Sequence, residues 1–222
     1  MARNTASARN VASARGAATR NTASWSVQYE ANELPDAATP AWTKTITGDG
    51  GLTTEEISPA GFLHQITAVN ARTFYTLNDS LDNSTGSTME ARMKTIVGTS
   101  IDDPSTSPSL IMIDDDTRGS GLIIYSDAID LNGGINGIVY EMDTTDDYHT
   151  YRLTLEGNIP KAYVDGGLVI TGGVLQTFNG GSQYIYFEGG GYSSNVCEFS
   201  WDSVCYLTEG AFKPMNTRNA VV

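Results

Sequence analysis

Residues 148–172 read YHTYRLTLEGNIPKAYVDGGLVITG, and the interpretation of this stretch decides the fold. Tyr151, Leu153 and Leu155 alternate with Thr150, Arg152 and Thr154, the period-two pattern of a strand with one dry face and one wet face. At EGNIP the chain reverses, because Gly157 and Asn158 tolerate positive φ and Pro160 cannot donate into a central ladder. The alternation resumes from Lys161 to Val164, and Asp165-Gly166 then supplies a strong hairpin signal.

The same pattern recurs on both sides of this hairpin. In TMEARMKTIVG, Met89, Ala91 and Met93 fall on one face and Glu90, Arg92 and Lys94 on the other. SLIMIDDDTRGSGLIIYSD reads as a hairpin around an acidic turn, and WSVQYEANE, residues 25–33, as a first strand. Short strands separated by Gly, Pro, Asn and Asp, with no credible long helix, predict an all-β chain built as two sheets. Its 222 residues can bury one substantial core.

HTYRLTLEGN followed by AYVDGGLVITG resembles the penultimate hairpin of concanavalin A-like lectin/glucanase (laminin G-like) jelly rolls. GSTMEARMKTI (86–96), the closing FSWDSVCYLTEGAFKP (199–214) and the opening SVQYEANELPDAATPAWTK are similar to further strands of such domains. The resemblance covers roughly residues 25–214 and implies an antiparallel two-sheet jelly-roll sandwich. The expected organisation is a low-complexity arm at 1–24, the jelly roll at 25–214 and a tail at 215–222.

Charge divides the chain the same way. Residues 1–24 repeat ARNTAS, ARNVAS and ARGAAT and carry Arg3, Arg9, Arg15 and Arg20 with no acid, so they contribute +4. The rest of a chain whose total is −13 therefore carries −17. An acidic body repels phosphate backbones and is a poor nucleic-acid binder, whereas the arm suits an acidic partner. Extended, the arm sets Arg3, Arg9 and Arg15 about 20 Å apart on one side, a spacing for repeated docking. Neither a secretory signal nor a membrane span is expected, since no apolar run of the required length opens the chain.

Cys197 and Cys205 are expected on one long strand, with Phe199, Trp201 and Leu207 on the same face by parity. Eight residues of strand span about 26 Å against a bridging limit of roughly 7 Å, so no disulfide is expected, which suits a reducing cytoplasm.

Glucanases of the resembled superfamily carry E-x-D-x-x-E on one strand, where alternate carboxylates share a face. The nearest run here is Glu141-Met142-Asp143-Thr144-Thr145-Asp146, which ends in Asp and reads as a turn. Asp114-Asp115-Asp116 and Asp102-Asp103 offer oxygen ligands for calcium but lack EF-hand spacing, and read as acidic turns. His64 and His149 stand far apart in sequence and read as strand residues. Tyr125, Tyr140, Tyr184, Tyr186, Tyr192 and Trp201 are available either to a core or to a glycan platform.

The resulting expectation is a protein that is not an enzyme and has no cofactor or metal. It is read as a structural virion component of capsid decoration or cement type, assembled in a host cytoplasm and homo-oligomeric. Arg3, Arg9, Arg15 and Arg20 would bind neighbouring structural subunits while the jelly roll faces outward and meets glycans. The alternative is a carbohydrate-binding module or adhesin, followed by a glycoside hydrolase.

Overall fold

The computed structural model describes residues 25–48, 53–79, 81–103, 109–131, 137–157, 159–173, 175, 183–190, 196–208 and 210–211. The strands are β1 (Val27–Tyr29), β2 (Thr43–Gly48), β3 (Thr54–Ile57), β4 (Leu63–Thr67), β5 (Ala71–Leu77), β6 (Ser87–Val97), β7 (Ser109–Asp115) and β8 (Gly119–Ile124). They continue with β9 (Ala128–Leu131), β10 (Ile138–Glu141), β11 (His149–Glu156), β12 (Ile159–Val164), β13 (Gly167–Thr171), β14 (Gln183–Gly189) and β15 (Cys197–Leu207). One sheet runs β13-β12-β11-β6-β15-β4-β3, with β1 also paired to β15, and the other runs β10-β9-β8-β7-β14-β5-β2. The pairings described are all antiparallel. This is the two-sheet sandwich that the alternation predicts.

The organising hairpin forms β11 and β12, and the turn at Asp165 (φ 48) and Gly166 (φ 84) leads into β13. Leu153 faces Met89 across the β11–β6 ladder and both are fully buried, as the parity of each segment requires. Between the sheets Phe187 of β14 is the hub of an aromatic cluster. Its ring centroid lies 5.1 Å from Tyr75, 5.1 Å from Trp201 and 5.0 Å from Trp42. Contacts of this kind add about 0.5–1.5 kcal/mol per pair beyond the area they bury.

Cys197 and Cys205 lie on β15 and form no disulfide. Their expected common face is corrected by the pairing with β6. Trp201 pairs with Met93 and Ser203 with Arg92, so Asp202 is an extra residue that reverses the strand's alternation. Cys197, Phe199 and Trp201 point into the core, then Val204 and Tyr206 do. Cys205 pairs with Glu90 and Leu207 with Thr88, on the opposite side.

At one end the sheets touch through a polar contact. Gln65 is fully buried, accepts from Trp201 Nε1 at 3.2 Å and donates to Glu55 at 2.8 Å, and Glu55 in turn pairs with Lys44 of the other sheet. Gly189 closes over this group so tightly that a Cβ there would stand 1.9 Å from Gln65 Oε1 and 2.6 Å from its Cδ. Gly189→Ala is therefore expected to destabilise the fold by about 1–3 kcal/mol, the usual cost of overpacking. It would appear as a lower urea midpoint with an unchanged slope, and a wild-type midpoint would show that the contact yields.

Candidate functional site

The outer face of the seven-stranded sheet carries a cluster of charged and aromatic side chains. On β14, Ile185 and Phe187 enter the core, so Tyr186 and Glu188 point away from it. Glu188 pairs with Phe74 of β5 on one side and Leu110 of β7 on the other, while Tyr186 pairs with Met112. Met112 and Tyr186, with Phe74 and Leu110 packed against them, form a hydrophobic cluster separate from the main core. Arg72, two residues before Phe74 on the same face of β5, reaches over this cluster. Its guanidinium lies 5.0 Å from the Phe74 ring centroid and 6.0 Å from that of Tyr186, and it donates to both the Tyr186 hydroxyl and the Glu188 carboxylate.

Burial is uneven across the ion pair. The Glu188 side chain is 2% exposed and that of Arg72 is 26% exposed, so the acid lies beneath the base and the base meets solvent. Burial pushes the Glu188 carboxyl up to about 7, against the pull of Arg72. The group thus holds its proton into the neutral range, where an ordinary glutamate is fully ionised.

The other acids do different work. Burial pushes Asp115 up, but bonds from Thr117 Oγ1 and the backbone N–H groups of Asn83, Thr117 and Arg118 overcome this and hold it below the usual carboxylate range. Asp115 is therefore a latch for its turn, and Asp114 accepts from the Asp116 N–H at 2.9 Å. Among the described residues, His, Cys, Asp and Glu side chains do not gather in threes as a metal cage. The Glu141–Asp146 run shares no strand: Glu141 ends the exposed edge strand β10, Asp143 accepts from Thr145, and Asp146 pairs with His149. His149 is also held by Asp165, whereas His64 lies beside Glu198, so the histidines do separate work.

Of the aromatic candidates, open between core and platform in the sequence, Trp201 is fully buried in the core, as its inward parity requires. Tyr186 lies on the outer face beneath Arg72. Tyr192 and the side chain of Tyr184 fall outside the described residues, as do Arg3, Arg9, Arg15 and Arg20. The sequence reading missed Arg72 and Glu188. The parity of QYIYFEG, which aligns Tyr186 with Glu188, was the signal that could have found the second.

No family model matches the chain, and no curated protein does. Solved structures do. A Bacillus licheniformis β-glucanase superposes with a TM-score of 0.55 at 14% identity, covering 83% of this chain and 98% of its own. A prokaryotic β-1,3-1,4-glucanase (lichenase) from a mouse hindgut metagenome does so with a TM-score of 0.54 at 15% identity, covering 82% and 98%. The binding domain of botulinum neurotoxin DC reaches a TM-score of 0.52 at 10% identity, covering 78% of this chain and 45% of that one. The fold is the concanavalin A-like jelly roll. At such identities the likeness extends to the fold alone. It nevertheless corrects the expectation that the chain is not an enzyme: the β-glucanases share this scaffold over nearly their whole length, so the scaffold gives no ground for excluding hydrolysis.

The raised Glu188 carboxyl has a measurable consequence. A group whose folded pKa lies above its unfolded value contributes stability that is complete below the unfolded value and is lost as pH climbs through the folded one. Unfolding free energy is expected to fall between about pH 4.5 and about pH 7 through Glu188, and Glu188→Gln should flatten that part of the profile. Urea titrations across this window check it, and identical profiles for the two proteins would contradict it.

Proposed function

We propose that the chain is a saccharide-binding jelly roll that binds through the outer face of the seven-stranded sheet. The observation that carries this reading is the Arg72–Phe74–Tyr186–Glu188 cluster. Sugars need apolar ring surface with fixed hydrogen-bonding groups beside it, and this cluster sets the half-buried Phe74 ring next to the Arg72 guanidinium on β5, with the buried Tyr186 and Glu188 of β14 beneath. The similar structures support it, since they include β-glucanases and a botulinum neurotoxin type C described by its interaction with two ganglioside molecules.

Glycoside hydrolysis is the second reading: burial raises the Glu188 carboxyl towards neutrality, as a proton donor requires, and because that side chain is 2% exposed it could reach a leaving oxygen only with Arg72 moved aside. Among the described residues the next acids on the face, Asp114 and Asp130, lie about 13–14 Å away along and across the strands, so none of these is assigned as the second group of such a reaction. The assembly role of the arm, with a virion as its setting, rests on the contrast between its +4 and the −17 of the rest.

A glycan array with the full chain should give binding that Phe74→Ala weakens about tenfold, a loss of about 1.4 kcal/mol and within the range of one aromatic contact. Reducing-end release from β-glucans, abolished in Glu188→Gln, would establish hydrolysis. An array without signal would remove the binding reading, and β-glucans left intact would remove hydrolysis.

A further inference from the structure

The two side walls of the sandwich differ in chemistry. On one, Lys44 of the edge strand β2 pairs with Glu55 of the edge strand β3, so charged groups bridge the two sheets. On the other the edge strands are β10 and β13, which meet where a Cβ on Gly172 would stand 3.5 Å from Ile138 Cδ1. Ile138 and Tyr140 pair with the fully buried Leu131 and Ile129 and share their inward parity, yet they are 37% and 39% exposed. Val139, of the opposite parity, is 46% exposed, and Leu168 of β13 is 55% exposed. Sheet edges are usually guarded by a charge, a proline or a bulge, and the run Ile138-Val139-Tyr140 carries none of these.

The backbone of β10 has a free side as well. Met142 N–H donates to the Asp127 carbonyl at 3.0 Å, on the β9 side. By alternation Ile138 and Tyr140 turn their peptide groups to β9, and Val139 and Glu141 turn theirs outward. We propose that β10 is the seam of a homodimer, in which β10 of a second copy pairs antiparallel with it about a two-fold axis at Tyr140. In that register Val139 of each copy lies opposite Glu141 of the other, and each such pair exchanges both of its backbone bonds, so the outward groups of the strand are closed. The two Tyr140 residues face each other across the axis as a closely spaced pair, and their rings cover the apolar surface that each copy leaves open.

A second copy fits this edge because the match is internal to the strand. The outward groups come from two residues two apart, an arrangement that a two-fold closes on itself. The one charge of β10, Glu141, meets Val139 of the other copy and not its own counterpart, so like charges are not set opposite one another. What opposes the seam is the net charge of −13 on each copy, a long-range repulsion that salt screens. Since the sheets join side by side, the outer face proposed for saccharides stays open in both copies, and neither proposal depends on the other.

Sedimentation velocity of the full-length chain tests the seam. The dimer should dominate at about 100 µM, as suits a small interface. Its affinity should rise several-fold between about 0.05 M and about 0.5 M NaCl as the repulsion is screened. Val139→Pro removes an N–H that points outward in the single copy, a change edge strands tolerate, and should leave a folded monomer. Val139→Lys sets a cation opposite Glu141 of the second copy and should tighten the dimer several-fold. Adding Glu141→Lys to it sets lysine opposite lysine twice in each dimer and should weaken association about tenfold relative to Val139→Lys, although the chain as a whole becomes less acidic. That opposition between local and total charge separates this register from any other association, and it decides the matter should the proline variant fail to fold. A chain that stays monomeric at about 0.5 mM in high salt overturns the seam. So does a dimer that survives in folded Val139→Pro, or a double lysine variant that associates as tightly as the single one.

Discussion

The contact on which this structure turns is the one between Gly189 and Gln65. Two sheets that pack face to face normally keep about 10 Å between them, filled by side chains. At this point a buried amide side chain reaches across the gap to a glycine backbone, so no other residue fits at 189 without displacing Gln65. Gln65 cannot move cheaply, because it is tied to Trp201 on one side and to Glu55 on the other. β14 is therefore pinned in register and in facing. With Gly189 and Phe187 held inward, Tyr186 and Glu188 have only the outer face left to them. The outward placing of Tyr186 and Glu188 is thus a by-product of how the core is closed.

That arrangement explains why a carboxylate is tolerated where few atoms touch water. Desolvating an isolated carboxylate costs several kcal/mol, and the protein limits the cost in two ways. Arg72 supplies an opposite charge in direct contact, and the group can take up a proton instead of carrying its charge. The same physics separates Glu188 from the exposed acids of the turns. Asp143 and Asp146 lie in solvent, where bonds from Thr145 and His149 hold them below the usual carboxylate range.

Much of this fold is legible in the residues, for a physical reason. Wherever a strand has one face in the core, hydrophobic alternation reports its facing directly, as at Met89, Ala91 and Met93 or at Tyr151, Leu153 and Leu155. The bulge at Asp202 is not legible, because an extra residue that swaps the faces leaves no trace in a run such as FSWDSVCYL, where both faces are occupied by large or polar groups. The site is harder still. Arg72 and Glu188 are 116 positions apart and meet only because β5 and β14 become neighbours, a pairing that no local pattern announces. Arginine and glutamate in strands read as wet-face residues, and nothing in their spacing says that one is sealed beneath the other.

A second buried ion pair shows what is distinctive about the first. On the outer face of the eight-stranded sheet, Arg152 donates to Glu90 through Nε at 2.7 Å, and the indole of Trp25 lies 5.7 Å from its guanidinium carbon. There the chain covers the cation with its own aromatic, leaving the Arg152 side chain 9% exposed. Arg72 also has aromatic company, but Phe74 and Tyr186 come from its own sheet and lie beneath or beside it. Both pairs meet the same electrostatic demand, and they differ in which side is closed. The Arg152 pair is covered from outside by Trp25, whereas the Arg72 side chain, supported from below by Phe74 and Tyr186, keeps 26% of its surface exposed.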